Sequence, residues 1–152
     1  MKYGMVFLWL TLWVFGAEEG LLYGEWHTQN HSINRGTQTL EKEYLRFKAD
    51  HTFTILFLVT VQKGAAYVKD LRIEGTGLWK TRGDTLVVVL KEVKVPVAGE
   101  VYGISQVSLE KMAKTFHDRF KYDPIRILHI ETLTQTTLAT ENSYGQHIRY
   151  HR

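Results

Sequence analysis

With 152 residues the chain has room for one domain, and a formal net charge of +3, spread over Lys and Arg interleaved with Asp and Glu, is too weak and too scattered to select a phosphate backbone. It contains no cysteine, which excludes disulfide staples and thiolate metal sites and leaves packing and hydrogen bonds to hold the fold. No nucleic-acid partner is expected.

The first stretch reads as a targeting segment. Lys2 supplies a positive start, an apolar run from Met5 to Phe15 follows, and small Gly16 and Ala17 precede Glu18 and Glu19. This is the pattern of a secretory signal peptide over residues 1–17, and the run is too short to span a bilayer as a helix. The expected mature domain is 18–152, periplasmic or secreted, with no stable membrane insertion once the signal is removed.

From Leu22 onward apolar residues recur with period two, the mark of strands half-buried in a sheet. Leu22 to Thr28 reads as a short strand, and Gln29 to Thr39, rich in Asn, Ser, Thr and Gly, as a long loop. In Glu41 to Lys48, Leu45 and Phe47 alternate with polar neighbours. A tight turn at Ala49-Asp50-His51 leads into Thr52 to Gln62, where Phe53, Ile55, Phe57, Val59 and Val61 share a face. In Tyr67 to Lys80, Tyr67, Leu71, Ile73 and Trp79 share another, and Gly75 and Gly77 mark bends.

Thr81 to Asp84 form a hairpin turn into Thr85 to Val93. Lys94 to Gln106, interrupted by Pro96 and Gly99, reads either as a bulged edge strand or as a loop across a barrel mouth. Leu109, Met112, Ala113, Phe116 and Phe120 fall at helical spacing behind a candidate N-cap, Ser108, until Asp123-Pro124 ends the run. Three strands close the chain at Ile125 to Leu133, Thr136 to Glu141 and Gln146 to Tyr150. Short turns between successive strands imply an antiparallel meander, and closure removes its edges. The expected fold is all-β: an eight- or nine-stranded antiparallel barrel with one inserted helix.

Gly24-Glu25-Trp26, the hairpin Tyr44 to Phe53, Gly77-Leu78-Trp79 leading into Gly83-Asp84-Thr85-Leu86, and the closing Ile148-Arg149-Tyr150 together resemble the lipocalin-like members of the calycin superfamily. The resemblance touches nearly the whole mature chain. It differs in lacking a Thr-Asp-Tyr motif and in placing the helix before the last three strands. It implies a barrel open at one end that carries a small hydrophobic ligand, fatty-acid-like or similar, with Trp26 at the closed end covered by a basic side chain of the last strand. Arg149 is the matching residue, with Arg152 as the substitute.

Barrels of this size either fill with side chains or hold one small guest. The expected ligand contacts are Phe57, Val59, Tyr67, Leu71, Ile73, Val88 and Leu90, with Tyr102 at the mouth and His129, if it faces inward, engaging a carboxylate. No catalytic constellation is apparent: there is no G-x-S-x-G elbow, no H-E-x-x-H, and no strand-to-helix glycine loop. No enzymatic activity, cofactor or metal is expected. The expected function is carriage of a small hydrophobic molecule; the alternative is a filled barrel that binds a protein partner through the loops Gln29 to Thr39 and Lys94 to Gln106.

Overall fold

The computed structural model describes residues 16–95 and 98–152. Nearly all of the segment read as a signal peptide, and Pro96 with Val97, therefore lie outside the described residues. A short helix, α1 (Gly16–Leu22), precedes the strands β1 (Gly24–Asn34), β2 (Thr37–Phe47), β3 (Thr52–Lys63), β4 (Ala66–Arg82), β5 (Thr85–Lys94) and β6 (Glu100–Tyr102). A longer helix, α2 (Gln106–Tyr122), separates them from β7 (Ile125–Leu133), β8 (Thr137–Asn142) and β9 (His147–His151).

The strands run β3-β2-β1-β9-β8-β7-β5-β4, every pairing antiparallel, and β3 pairs β4 to close an eight-stranded barrel. The three residues of β6 add to the outside of β4, so the described part of Lys94 to Gln106 forms an edge strand only over Glu100–Tyr102. The expected barrel with an inserted helix is thus the observed architecture.

Alternation fixes the core. Leu45 and Phe47 of β2, Phe53, Ile55, Phe57 and Val59 of β3, Leu71, Ile73 and Trp79 of β4, and Leu86, Val88 and Leu90 of β5 are all buried. Two glycines let the wall bend. A Cβ on Gly77 would lie 1.9 Å from the Val89 carbonyl oxygen, where the register between β4 and β5 shifts, and one on Gly75 would lie 2.6 Å from Ile55 Cγ2.

Several elements differ from the sequence reading. The polar stretch Gln29 to Thr39 is not a loop but the far half of the β1–β2 hairpin, turning on Arg35 (φ 50°) and Gly36 (φ 78°). Positive φ at both central positions is the type I′ turn, whose twist suits a two-residue hairpin. Leu22 belongs to α1 rather than to a strand. The α2 N-cap is Ser105, whose hydroxyl accepts from the Ser108 amide, so the helix begins a turn earlier than Ser108 suggests. Asp123 caps its end and Pro124 stops it. The α2 stripe of Leu109, Met112, Phe116 and Phe120 packs on the barrel core, with Phe120 fully inside against Phe57, ring centroids 5.1 Å apart.

Tyr67 departs from the expected alternation. Asp70 takes a left-handed conformation (φ 51°) beside a bulge between Val59 and Val61, and this steps the pleat by one residue. Val68 therefore turns inward in place of Tyr67.

One end of the barrel is sealed by α1. Leu22 and Trp26 are fully buried, and Trp26 Nε1 donates to the Leu22 carbonyl at 2.9 Å. Arg152, not Arg149, covers the indole: its Cζ lies 4.1 Å from the ring centroid, and its guanidinium donates to the carbonyls of Tyr23 (2.8 Å) and Leu21. Parity explains the choice, because Ile148 and Tyr150 point inward and Arg149 outward, so the next inward position is 152. Gly24 (φ 108°) makes room, since a Cβ there would meet the Arg152 guanidinium at 2.8 Å.

A guanidinium on an indole is worth about 0.5–2 kcal/mol, and here it also ties down α1. Arg152→Ala is expected to lower stability by about 2 kcal/mol, or roughly 5 °C in thermal midpoint. Arg149→Ala is expected to stay within about 0.5 kcal/mol. Equal midpoints for the two variants in calorimetry would overturn this assignment.

Candidate ligand chamber at the barrel seam

β1 pairs with β2 over its whole length, but its Cα register with β9 consists of a single pair, His27 opposite His151. Beyond that pair the two strands separate. The last residue of the seam is thus close to the sealed end, and toward the other end the wall opens into a cleft of about 920 Å³. Its lips are Thr28 to Asn30 on β1 and the β8–β9 turn from Asn142 to Ile148; its floor is the barrel interior.

Four strands and α2 place the floor residues. Glu41 and Glu43 share the inward parity of Leu45 and Phe47, so β2 carries its carboxylates along the same face as its core residues. Arg126 shares that of Leu128 and Ile130 on β7, and Tyr150 that of Ile148 on β9. Phe57 from β3 and Phe120 from α2 supply aromatic faces.

The charged groups meet inside. Tyr150 Oη donates to Glu43 Oε1 at 3.1 Å, and Arg126 Nη1 lies 3.6 Å from the same oxygen. The Arg126 guanidinium also sits over Phe120 at 5.1 Å and Phe57 at 5.8 Å. Nearer the lip, Arg119 Nη1 approaches Glu41 Oε1 at 3.8 Å.

The side chain of Glu43 is only 12% exposed. Loss of hydration raises its pKa above the ordinary 4.5, outweighing the opposing pull of Arg126 and of the Tyr150 hydrogen bond. The Tyr150 phenol is pushed well above its ordinary 10.0, first by burial and then by the Glu43 charge, so it stays a donor. Thr140, fully buried between Ile130 and Ile148 in the cross-strand register, has a hydroxyl without a hydrogen-bond partner among the described residues.

The residues nominated from sequence are dispersed. Phe57 lines the cleft. Val59, Leu71, Ile73, Val88 and Leu90 are buried in the packed part of the barrel. Tyr67 and Tyr102 stack on each other outside the wall, centroids 5.9 Å apart, and Tyr67 Oη donates to Glu100 at 2.7 Å. His129 faces outward opposite Glu141, so it does not reach the interior. Trp26 is at the sealed end as expected, and Arg149 is on the outer lip of the cleft.

Sequence reasoning missed Glu41, Glu43, Arg126 and Tyr150 as floor residues. The signal was available: each stands an even number of residues from a buried or half-buried apolar position on its own strand. A second hollow of about 350 Å³ lies on the outer wall beside Leu78, Val87 and Val89, with His51 and Lys80 in its lining.

No protein-family model matches the chain, and no curated protein matches it.

The raised Glu43 pKa gives a pH signature. Its folded state holds a proton that the unfolded chain has already released, so stability is fully present below pH 4.5 and falls as pH rises through the higher folded value. Glu43→Gln is expected to flatten this part of the curve in denaturant titrations run from pH 4 to pH 8. A stability difference between wild type and variant that does not change with pH would refute the assignment.

Proposed function

We propose that this chain is an exported lipocalin-like binding protein of the calycin type, and that it holds one small molecule in the cleft between β1 and β9. The observation that carries the reading is the cleft itself: about 920 Å³ of space that runs from the open seam to a floor with buried polar groups. Binding sites for small molecules fall in the range of about 300–1,000 Å³ and combine apolar walls with a few placed polar groups.

The lining refines the kind of guest. Phe57, Phe120, Leu128 and Ile148 offer apolar contact, while Glu43, Arg126 and Tyr150 offer charge and hydrogen bonding at the floor. A hydrophobic body with one polar end, fatty-acid-like or similar, suits that pairing better than a pure hydrocarbon. Among the described residues of the cleft no serine or threonine hydroxyl is hydrogen-bonded to a histidine or carboxylate, which supports carriage without transformation. The signal-like segment at residues 1–17 supports a periplasmic or secreted location.

A second reading has its own support. Past His27 the outer edge of β1 pairs with no other described strand, and Gln29 to Asn34 are exposed along both faces. Such an edge can accept an extended segment of a protein partner.

A fluorescence titration with 1-anilinonaphthalene-8-sulfonate, which joins apolar rings to one anionic group, tests the first reading. One saturable site of micromolar affinity is expected. Ile148→Trp, which places a ring in the cleft from a half-buried position, is expected to weaken it about tenfold, or about 1.4 kcal/mol. An unchanged titration in the folded variant would remove the cleft as the site.

A further inference from the structure

The outer wall just beyond the cleft carries a donor set that sequence order conceals. Glu131 of β7, Glu141 of β8 and His147 of β9 place a ligand atom each within 4.8 Å of one another. They come from three adjacent strands, and the register sets them side by side: Glu141 stands opposite His147, and Glu131 is the residue skipped where the β7–β8 register shifts between Ile130 and Thr132.

Strand parity turns all three outward, away from the apolar core. His147 Nδ1 and Glu131 Oε1 are 2.6 Å apart, so the imidazole and the carboxylate already converge on one proton. Neither is deeply buried: the side chains are 66% and 32% exposed, which leaves a cation free access from water.

We propose that Glu131, Glu141 and His147 form a binding site for a divalent first-row transition ion, of which zinc is the test case. Donor chemistry selects the class. Two carboxylates and one imidazole make a mixed oxygen and nitrogen set, whereas calcium and magnesium take oxygen donors almost alone. Three side chains leave the fourth tetrahedral position to water or to an outside group, as in zinc sites that stay open.

The ion takes an electron pair from an imidazole nitrogen and from each carboxylate. Where Nδ1 is that nitrogen, the proton it shared with Glu131 moves to Nε2 by exchange with solvent, so the neutral ring binds with no net proton loss and no redox change. His147 also lines the cleft, so the ion sits at its rim, but the site does not depend on a guest being bound there.

The experiment is calorimetric titration of zinc alone into the full chain stripped with chelator. One equivalent of zinc is expected to bind. His147→Ala, Glu131→Gln and Glu141→Gln are each expected to weaken binding by about 100-fold, since each removes a direct donor where loss of an outer partner costs about 10–100-fold. These positions are on the surface, and circular dichroism reports whether each variant folds.

The double variant His27→Ala, His151→Ala removes two exposed histidines that stand opposite each other at the seam and is expected to bind like the wild type. Absence of stoichiometric zinc binding would overturn the proposal. So would binding that survives both glutamate substitutions, or binding lost in the His27/His151 variant, because either places the ion elsewhere.

Discussion

The structure depends on how little of the barrel seam is closed. A barrel of eight strands has one place where its first and last strands must meet, and here they meet in register only at His27 and His151. Arg152 reinforces that point from the end of β9: its guanidinium lies on Trp26 and donates to the carbonyls of Leu21 in α1 and of Tyr23 just after it. The same residue thus joins the first strand, the last strand and the plug. Everything toward the other end is then free to part, and the wall opens without exposing the apolar core.

That division explains why polar residues are tolerated inside. Near the sealed end the interior is filled by Trp26, Phe47, Phe53, Trp79 and Leu86, and no space is left for a guest. Farther along, where β1 leaves β9, water can approach the floor, and Glu43, Arg126 and Tyr150 satisfy one another. Burial still disfavours the charged form of Glu43, which is why its pKa rises beside an arginine instead of falling. A pair of this kind is weak as a source of stability. On the proposed reading, its place at the bottom of a cleft makes it the polar counterpart for a bound molecule.

The strands were legible because their apolar residues alternate strictly, as in Phe53, Ile55, Phe57 and Val59. The sealed end was legible because Trp26 stands between Glu25 and His27. What alternation could not show was where it breaks: the left-handed Asp70 turned Tyr67 to the outside, and no residue type announces that step. The arm from Gln29 to Asn34 hid for another reason. Its strand is exposed on both faces, so it carries no apolar period and looks like a loop. The inward charges of β2 were concealed by the habit of assigning charged residues to water, although Glu43 shares its face with Leu45 and Phe47. The outer donor set required register across three strands, which spacing along the chain does not contain.

The central claim is that the guest enters through the open seam and rests on the Glu43, Arg126 and Tyr150 floor. It is tested most directly by amide correlation spectra of the nitrogen-15 labelled chain titrated with 1-anilinonaphthalene-8-sulfonate. The account predicts shifts concentrated at Thr28 to Asn30, Glu43, Arg126 and Ile148 to Tyr150, with Phe47, Phe53 and Leu86 unmoved. Shifts confined to the outer wall around Leu78 and Val89, or centred on the sealed end, would contradict it.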